Sequence, residues 1–191
     1  IARKGEDVRA GDVAVPAGRA ILGPTLGVLA GVGAQRVVVH RPPRVCVMAT
    51  GNELVEHHVT PGAHELRESN RHTLMAMLRG LRALVVDGGI VPDDAGALRS
   101  AIRSADGSDI IVLSGGVSKG KYDLVKGVLT ELGMQTIFHG VKAKPGKPVL
   151  FGRLENTLVL GLPGNPVSTF VMAVLLMLPM ARTLAGLRQA R

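Results

Sequence analysis

The chain has 191 residues, 46% hydrophobic and 20% charged, with a net charge of +8. This composition supports a buried core and excludes a disordered chain, while aromatic residues at only 2% disfavour single-strand nucleic-acid binding by base stacking. The lone cysteine, Cys46, excludes a disulfide framework or Cys metal site within one chain and suits a reducing compartment.

Residues 1–43 are rich in Gly and Val and carry turn signals at Pro16-Ala17-Gly18 and Gly23-Pro24. Val13-Ala14-Val15 and Arg36–His40 read as strands, and Pro24 suits the first turn of a small helix. Pro42-Pro43 breaks this pattern, which predicts a small β-containing appendage over 1–43 and a second domain over 44–191. From Arg44 a regular alternation begins. Val45–Met48 reads as a buried strand ending in Ala49-Thr50-Gly51. Leu74, Met77, Leu78 and Leu81 recur at helical spacing, so 70–81 is a predicted helix with Ser69 or Asn70 as its cap.

Leu84–Val91 is the next extended segment, and Pro92-Asp93-Asp94 opens a helix through Ala105, with Asp93 as the obvious N-cap. Asp109–Leu113 reads as a strand, Tyr122–Leu132 as a helix and Gln135–Phe138 as a strand. Val149–Phe151 and Thr157–Leu160 flank a turn and predict a hairpin. Pro166–Leu187 predicts a final apolar helix, bent at Pro179. The alternation implies α/β architecture: a mostly parallel sheet covered by helices on both faces, with ligands beyond the strands' carboxyl ends.

The chain opens at Ile1 in a charged stretch, so a piece of a longer protein is expected. No secretory leader pattern is visible, and the apolar run Phe170–Met180 is too short to span a membrane. A cytoplasmic location without a membrane partner is therefore expected.

The residues suited to chemistry fall in the turns at one sheet edge. Gly115 and Gly116 follow a strand and precede a helix, an arrangement that turns N–H groups toward an anion. Ser118 adds a hydroxyl, Lys119 and Lys121 add charge, and Asp123 is either a helix cap or a metal ligand. Glu53 and Asp93 bring the carboxylates of this edge to three, an oxygen-rich set that suits Mg²⁺ beside phosphate. Each has a plainer reading, as a solvated loop residue or a cap. Lys144-Pro145-Gly146-Lys147-Pro148 presents two ammonium groups from a stiff loop. Gly161–Pro166 leads into the last helix, with Ser168 close by. Ser114–Arg153 holds seven basic residues against Asp123 and Glu131, a net +5 of the chain's +8, which points to an anionic partner. His57, His58 and His64 sit in a polar loop without a visible fourth partner and read as solvated, so no His or Cys cluster supports zinc.

Thr50-Gly51-Asn52-Glu53-Leu54, Ser69-Asn70-Arg71, Pro92-Asp93-Asp94, Ser114-Gly115-Gly116-Val117-Ser118 with Gly120 and Asp123, Lys144–Pro148 and Leu162–Ser168, in this order, resemble molybdopterin molybdenumtransferases, the MoeA and gephyrin E-domain group. The resemblance covers nearly the whole chain. It implies a three-layer α/β/α molybdopterin-binding (MogA-like) domain over 44–191, preceded by the tail of the family's N-terminal region. It also implies an enzyme of molybdenum cofactor biosynthesis that inserts molybdate into adenylylated molybdopterin with Mg²⁺ and releases AMP. Glu53, Asp93 and Asp123 would be the catalytic and Mg²⁺-holding residues. Substrate would be bound by Thr50, Asn70, Gly115, Gly116, Val117, Ser118, Lys144, Lys147, Pro163, Asn165, Pro166 and Ser168. The family is homodimeric, and the piece present is expected to be monomeric and to depend on missing regions for activity. Members often carry a basic residue where this chain has Gly140, so that contact does not carry over. Two alternatives are molybdopterin adenylylation on the same fold and a non-catalytic binding or scaffold module. Nucleic acid is not an expected partner.

Overall fold

The computed structural model describes residues 3, 5–117 and 124–187. Its elements are α1 (Gly23–Gly31), β1 (Arg44–Thr50), β2 (Leu54–Val55), β3 (Leu66–Arg67), α2 (Asn70–Gly80), β4 (Leu84–Val91), α3 (Ala95–Ser104), β5 (Ile110–Ser114), α4 (Leu124–Glu131), β6 (Gln135–His139), β7 (Leu150–Leu154), β8 (Thr157–Leu162), α5 (Pro166–Met172) and α6 (Leu178–Leu184). A π-helical turn, Ala173–Met177, joins the last two.

Val45 to Ala49 are each no more than 2% exposed, so β1 is buried on both faces. Strand side chains alternate. Val45, Val47, Ile110, Val112, Leu160 and Leu162 pack with Leu74 and Leu78 of α2 and with Met172, Ala173 and Met177 of the last helical segment. Cys46, Met48, Ile111, Leu113 and Val159 pack instead with Leu98 and Ile102 of α3 and with Val125, Val128 and Leu129 of α4. Helices therefore cover both faces, giving the expected three layers. This two-sided burial is why β1 and β5 read as unbroken apolar runs. The sheet order is β4-β1-β5-β8-β7-β6. β4, β1, β5 and β8 are parallel, while β7 runs antiparallel to β8 and β6. β2 and β3 form a separate two-stranded parallel pair.

The chain divides into two compact units, Pro42–Ala181 and a smaller one grouping Ile1–Arg41 with Arg182–Arg191. The smaller unit corrects the expected β content of 1–43. Among the described residues of 1–43 there is no strand, only α1. Val38 and Val39 are 105% and 62% exposed. Their apolar run has no ladder to join, and β propensity without a partner does not make a strand.

Three further expectations change in detail. Ser69 precedes α2 but its side chain makes no capping bond; the Glu68 carboxylate accepts from the Arg71 N–H instead, at 2.7 Å. Asp94, not Asp93, caps α3, accepting from Ala97 N at 2.8 Å. The break near Pro179 takes the form of the π-turn just ahead of it, since proline lacks the N–H an α-helix needs there. Pro166–Leu184 is also longer than the apolar run suggested: 19 residues with mean hydropathy 1.8, enough by length and composition to cross a membrane. Here its Thr169, Met172, Ala173, Met177 and Ala181 are buried, and all but Thr169 belong to the core on the α2 side of the sheet.

Candidate functional site

The parallel strands β1, β5 and β8 end side by side, and their following turns enclose a cleft of about 490 Å³. β1 contributes Thr50, β5 contributes Ser114, the turn after β4 contributes Asp93, and Pro163–Pro166 closes the side nearest α5. The cleft lies where a parallel sheet offers ligand sites, at the strands' carboxyl ends.

Gly115 and Gly116 make this edge possible. Both have positive φ, 93° and 65°. A Cβ on Gly115 would lie 2.4 Å from the Thr50 carbonyl oxygen, and one on Gly116 would lie 2.6 Å from Thr50 Oγ1. The turn after β5 thus runs against the end of β1 at a distance only glycine tolerates. Thr50 is 4% exposed, and its Oγ1 is buried with no hydrogen-bond partner among the described residues.

Asn70 ties three turns together. Its Nδ2 donates to Ser114 Oγ at 2.9 Å and to the Gly164 carbonyl at 2.8 Å. The Thr169 hydroxyl bonds the Pro163 carbonyl, so the turn after β8 is held from both sides. The Asn165 side chain caps α5, accepting from Ser168 N at 3.2 Å. Ser168 Oγ also donates to it, at 3.4 Å. Asp93 is bound to the β1 turn: Asp93 N donates to Asn52 Oδ1 at 3.0 Å, and Asn52 N to Asp93 Oδ2 at 3.4 Å. Release from capping leaves Asp93 at the cleft.

Of the site residues expected from sequence, Thr50, Glu53, Asn70, Asp93, Gly115, Gly116, Val117, Pro163, Asn165 and Pro166 line this cleft. Lys144, Lys147 and Ser168 do not, although Pro148 beside Lys147 does. Ser118 and Asp123, with Lys119 and Lys121, lie outside the described residues. Sequence reasoning missed Leu66, Arg67 and Glu68. They sit on and after β3, a two-residue strand whose pairing with β2 no periodicity could announce.

One turn of chain from the cleft lies a cluster of charge. Arg71 is 3% exposed. Its Nη2 donates to both Glu56 oxygens at 2.7 Å, its Nη1 donates to Asp87, and its Nε is 3.6 Å from Glu68 Oε2. Burial works against the Asp87 charge, but the Gly89 amide and then Arg71 outweigh it and hold the carboxyl below its ordinary range. Burial opposes the Arg71 charge too, and Asp87, Glu56 and Glu68 together raise its pKa. On the other side of β1, burial first, and then Asp87, push the Cys46 thiol up, which fits a structural thiol.

Residues 46–183 match the family model described as "Probable molybdopterin binding domain". The chain belongs to this molybdopterin-binding family. Across 99% of its length it is 39% identical to the molybdopterin molybdenumtransferase of Haemophilus influenzae, of which it covers 47%. Across 98% it is 37% identical to molybdopterin molybdenumtransferase 1 of Mycobacterium tuberculosis, of which it covers 45%. The crystal structure of a molybdopterin biosynthesis MoeA protein from Pyrococcus horikosii superposes with a TM-score of 0.84 at 31% identity, over 95% of this chain and 45% of that one. The chain spans about half the length of the curated relatives it matches. The family placement drawn from the motifs holds, and so does the α/β fold.

Proposed function

We propose that the chain is the substrate-binding region of a molybdopterin molybdenumtransferase and that the cleft at the carboxyl edge takes adenylylated molybdopterin. In this reading the binding domain is 44–191, with 1–43 as the tail of a preceding region. The carrying observation is convergence. Thr50, Asn70, Asp93, Gly115 and Pro163 come from five separate stretches and line one cleft, in a chain of the molybdopterin-binding family.

The roles follow from the chemistry of each group. The Gly115 N–H is spent on the Leu162 carbonyl at 3.0 Å, so the backbone N–H groups of Gly116 and Val117 are the ones that suit a phosphate, and the buried Thr50 hydroxyl adds an unspent hydrogen bond. Asn70 fixes the separation of the turns after β5 and β8 and so sets the width of the mouth. Lys144 and Lys147 supply long-range attraction for molybdate and for the substrate's phosphates. Ser118 and Ser168 complete the polar rim. Glu53 and Asp93 line the same cleft, and hard carboxylate oxygens of this kind fit Mg²⁺. Asp123 is the third proposed ligand. When bound, Mg²⁺ would neutralise phosphate charge and orient the pyrophosphate for cleavage with loss of AMP. The complete protein would act in the cytoplasm as a homodimer.

The test is equilibrium binding of molybdopterin and its adenylylated form, with and without Mg²⁺, to the wild type and to Asp93→Ala and Glu53→Gln. The expected result is tighter binding of the adenylylated form with Mg²⁺, at least about tenfold weaker in each variant, a loss typical of one charge-assisted contact. Equal binding by all three proteins would overturn these site assignments. Consumption of ATP in the presence of molybdopterin would assign adenylylation instead.

A further inference from the structure

We propose that Glu56, His57 and His72 form a transition-metal site, separate from the cleft, that clasps the segment after β2 to helix α2. One ligand atom from each of the three lies within 4.8 Å of the other two. Glu56 and His57 follow β2 and His72 is on α2, so the sites of attachment are 15 residues apart in sequence at the closest. None of the three lines the cleft.

Three observations point to a cation here. First, His72 Nε2 is buried and has no hydrogen-bond partner among the described residues. A buried imidazole nitrogen without a partner is costly unless something binds it. Second, the charge beside it does not balance. Among the described residues the guanidinium of Arg71 faces Glu56, Glu68 and Asp87, one fixed positive charge against three carboxylates. Glu68 Oε2 is itself buried without a hydrogen bond. A bound cation would offset the excess. Third, the carboxylate is already held as metal sites require. Arg71 grips both Glu56 oxygens at 2.7 Å and fixes the group, leaving outer lone pairs free.

The donor set decides the class of metal. Two imidazoles and one carboxylate suit Zn²⁺, Co²⁺ or Ni²⁺ and not Mg²⁺, and three protein ligands leave a position for water. His57 is exposed, which gives an ion access. The His57 and His72 rings stand edge to face with centroids 4.9 Å apart, so the two imidazoles are already neighbours. The sequence signal was hidden because His72 stands far from the His57-His58 pair and reads as an ordinary helix residue.

The experiment strips the protein with a chelator and titrates it with Zn²⁺ against a chromophoric indicator, and separately with Co²⁺ followed by visible absorption. The expected result is one equivalent of tightly bound metal, Co²⁺ bands of a low-coordinate nitrogen and oxygen site, and a thermal midpoint that rises with Zn²⁺. His57→Ala and His72→Asn should each weaken Zn²⁺ binding at least about tenfold and abolish the thermal response, while His64→Ala should change neither. His57 is a surface residue, so its variant keeps the fold if His72→Asn does not. No stoichiometric uptake, or uptake unchanged in His57→Ala, would overturn the proposal and leave only adventitious surface histidine binding.

Discussion

Asn70 and Arg71 are neighbours at the start of α2, yet they anchor two regions built on opposite terms. Asn70 serves the cleft with neutral hydrogen bonds to Ser114 and Gly164. Arg71 serves a cluster of full charges, with Glu56, Glu68 and Asp87. The cleft keeps polar capacity in reserve, as the unpartnered Thr50 hydroxyl shows. The Arg71 guanidinium spends Nη1 on Asp87 and Nη2 on Glu56, while its buried Nε stands 3.6 Å from Glu68 Oε2 without a hydrogen bond. Both regions leave buried polar atoms unpartnered, so what separates them is the bonding at the start of α2: neutral hydrogen bonds from Asn70, ion pairs from Arg71. In the proposed reading the cleft is the binding region, while Arg71 ties the segment after β2 and strand β4 to α2.

The comparison breaks first at Arg71. Arg71→Met keeps much of the bulk and removes the charge, leaving Glu68 buried without its cation. Loss of one partner from a buried ionic cluster costs about 3–5 kcal/mol. Urea unfolding should show a loss of unfolding free energy of that size. A loss below about 1 kcal/mol would mean that the cluster is solvated in practice and that the contrast with the cleft is false.

A smaller effect comes from Asp87, whose carboxyl is held below its ordinary range by the Gly89 amide and Arg71 against the opposing effect of partial desolvation. A depressed folded-state pKa gives stability that is full above the unfolded value, near 4, and is lost as pH falls through the folded value. The side chain is 46% exposed, so solvent screens the pair and the contribution at neutral pH is about 1 kcal/mol or less. Asp87→Asn should therefore lower stability slightly at pH 7 and flatten its decline below about pH 4. Stability measured between pH 2.5 and 7 checks this, and an unchanged acid limb would remove Asp87 from the tie.

Legibility in the sequence followed the same division. The parallel strands showed themselves because burial on both faces makes unbroken apolar runs such as Val45–Ala49 and Ile110–Leu113. The cleft turns showed themselves because Gly115, Gly116 and Pro163 leave the backbone few alternatives. The Arg71 cluster was invisible, since its partners stand 15, 3 and 16 residues away in sequence and charge carries no periodicity. Adjacent carboxylates were also misassigned. Asp93 and Asp94 are equally good caps by type, and only the fold shows that Asp94 bonds Ala97 and leaves Asp93 to Asn52. The exposed valines of 37–39 mark the opposite failure, a strand pattern with nothing to pair it.

The smallest expected change in stability is also the sharpest probe of the comparison. Thr50→Val replaces a buried hydroxyl with a methyl of nearly the same shape and keeps the β-branch that suits the end of β1. Had the hydroxyl been bonded within the fold, its removal would cost about 1 kcal/mol. Because Oγ1 has no partner among the described residues, the expected outcome is no loss, or a gain of up to about 1 kcal/mol, as an unsatisfied polar atom leaves the interior. Affinity for adenylylated molybdopterin should move the other way, weakening roughly tenfold as one hydrogen bond to the ligand is lost. Stability and binding measured on the same sample separate the two readings of Thr50. Unchanged stability with weakened binding makes the hydroxyl a group held in reserve for the ligand. Lower stability with unchanged binding would make it part of the scaffold and would erase the distinction between cleft and tie at the residue where it is clearest.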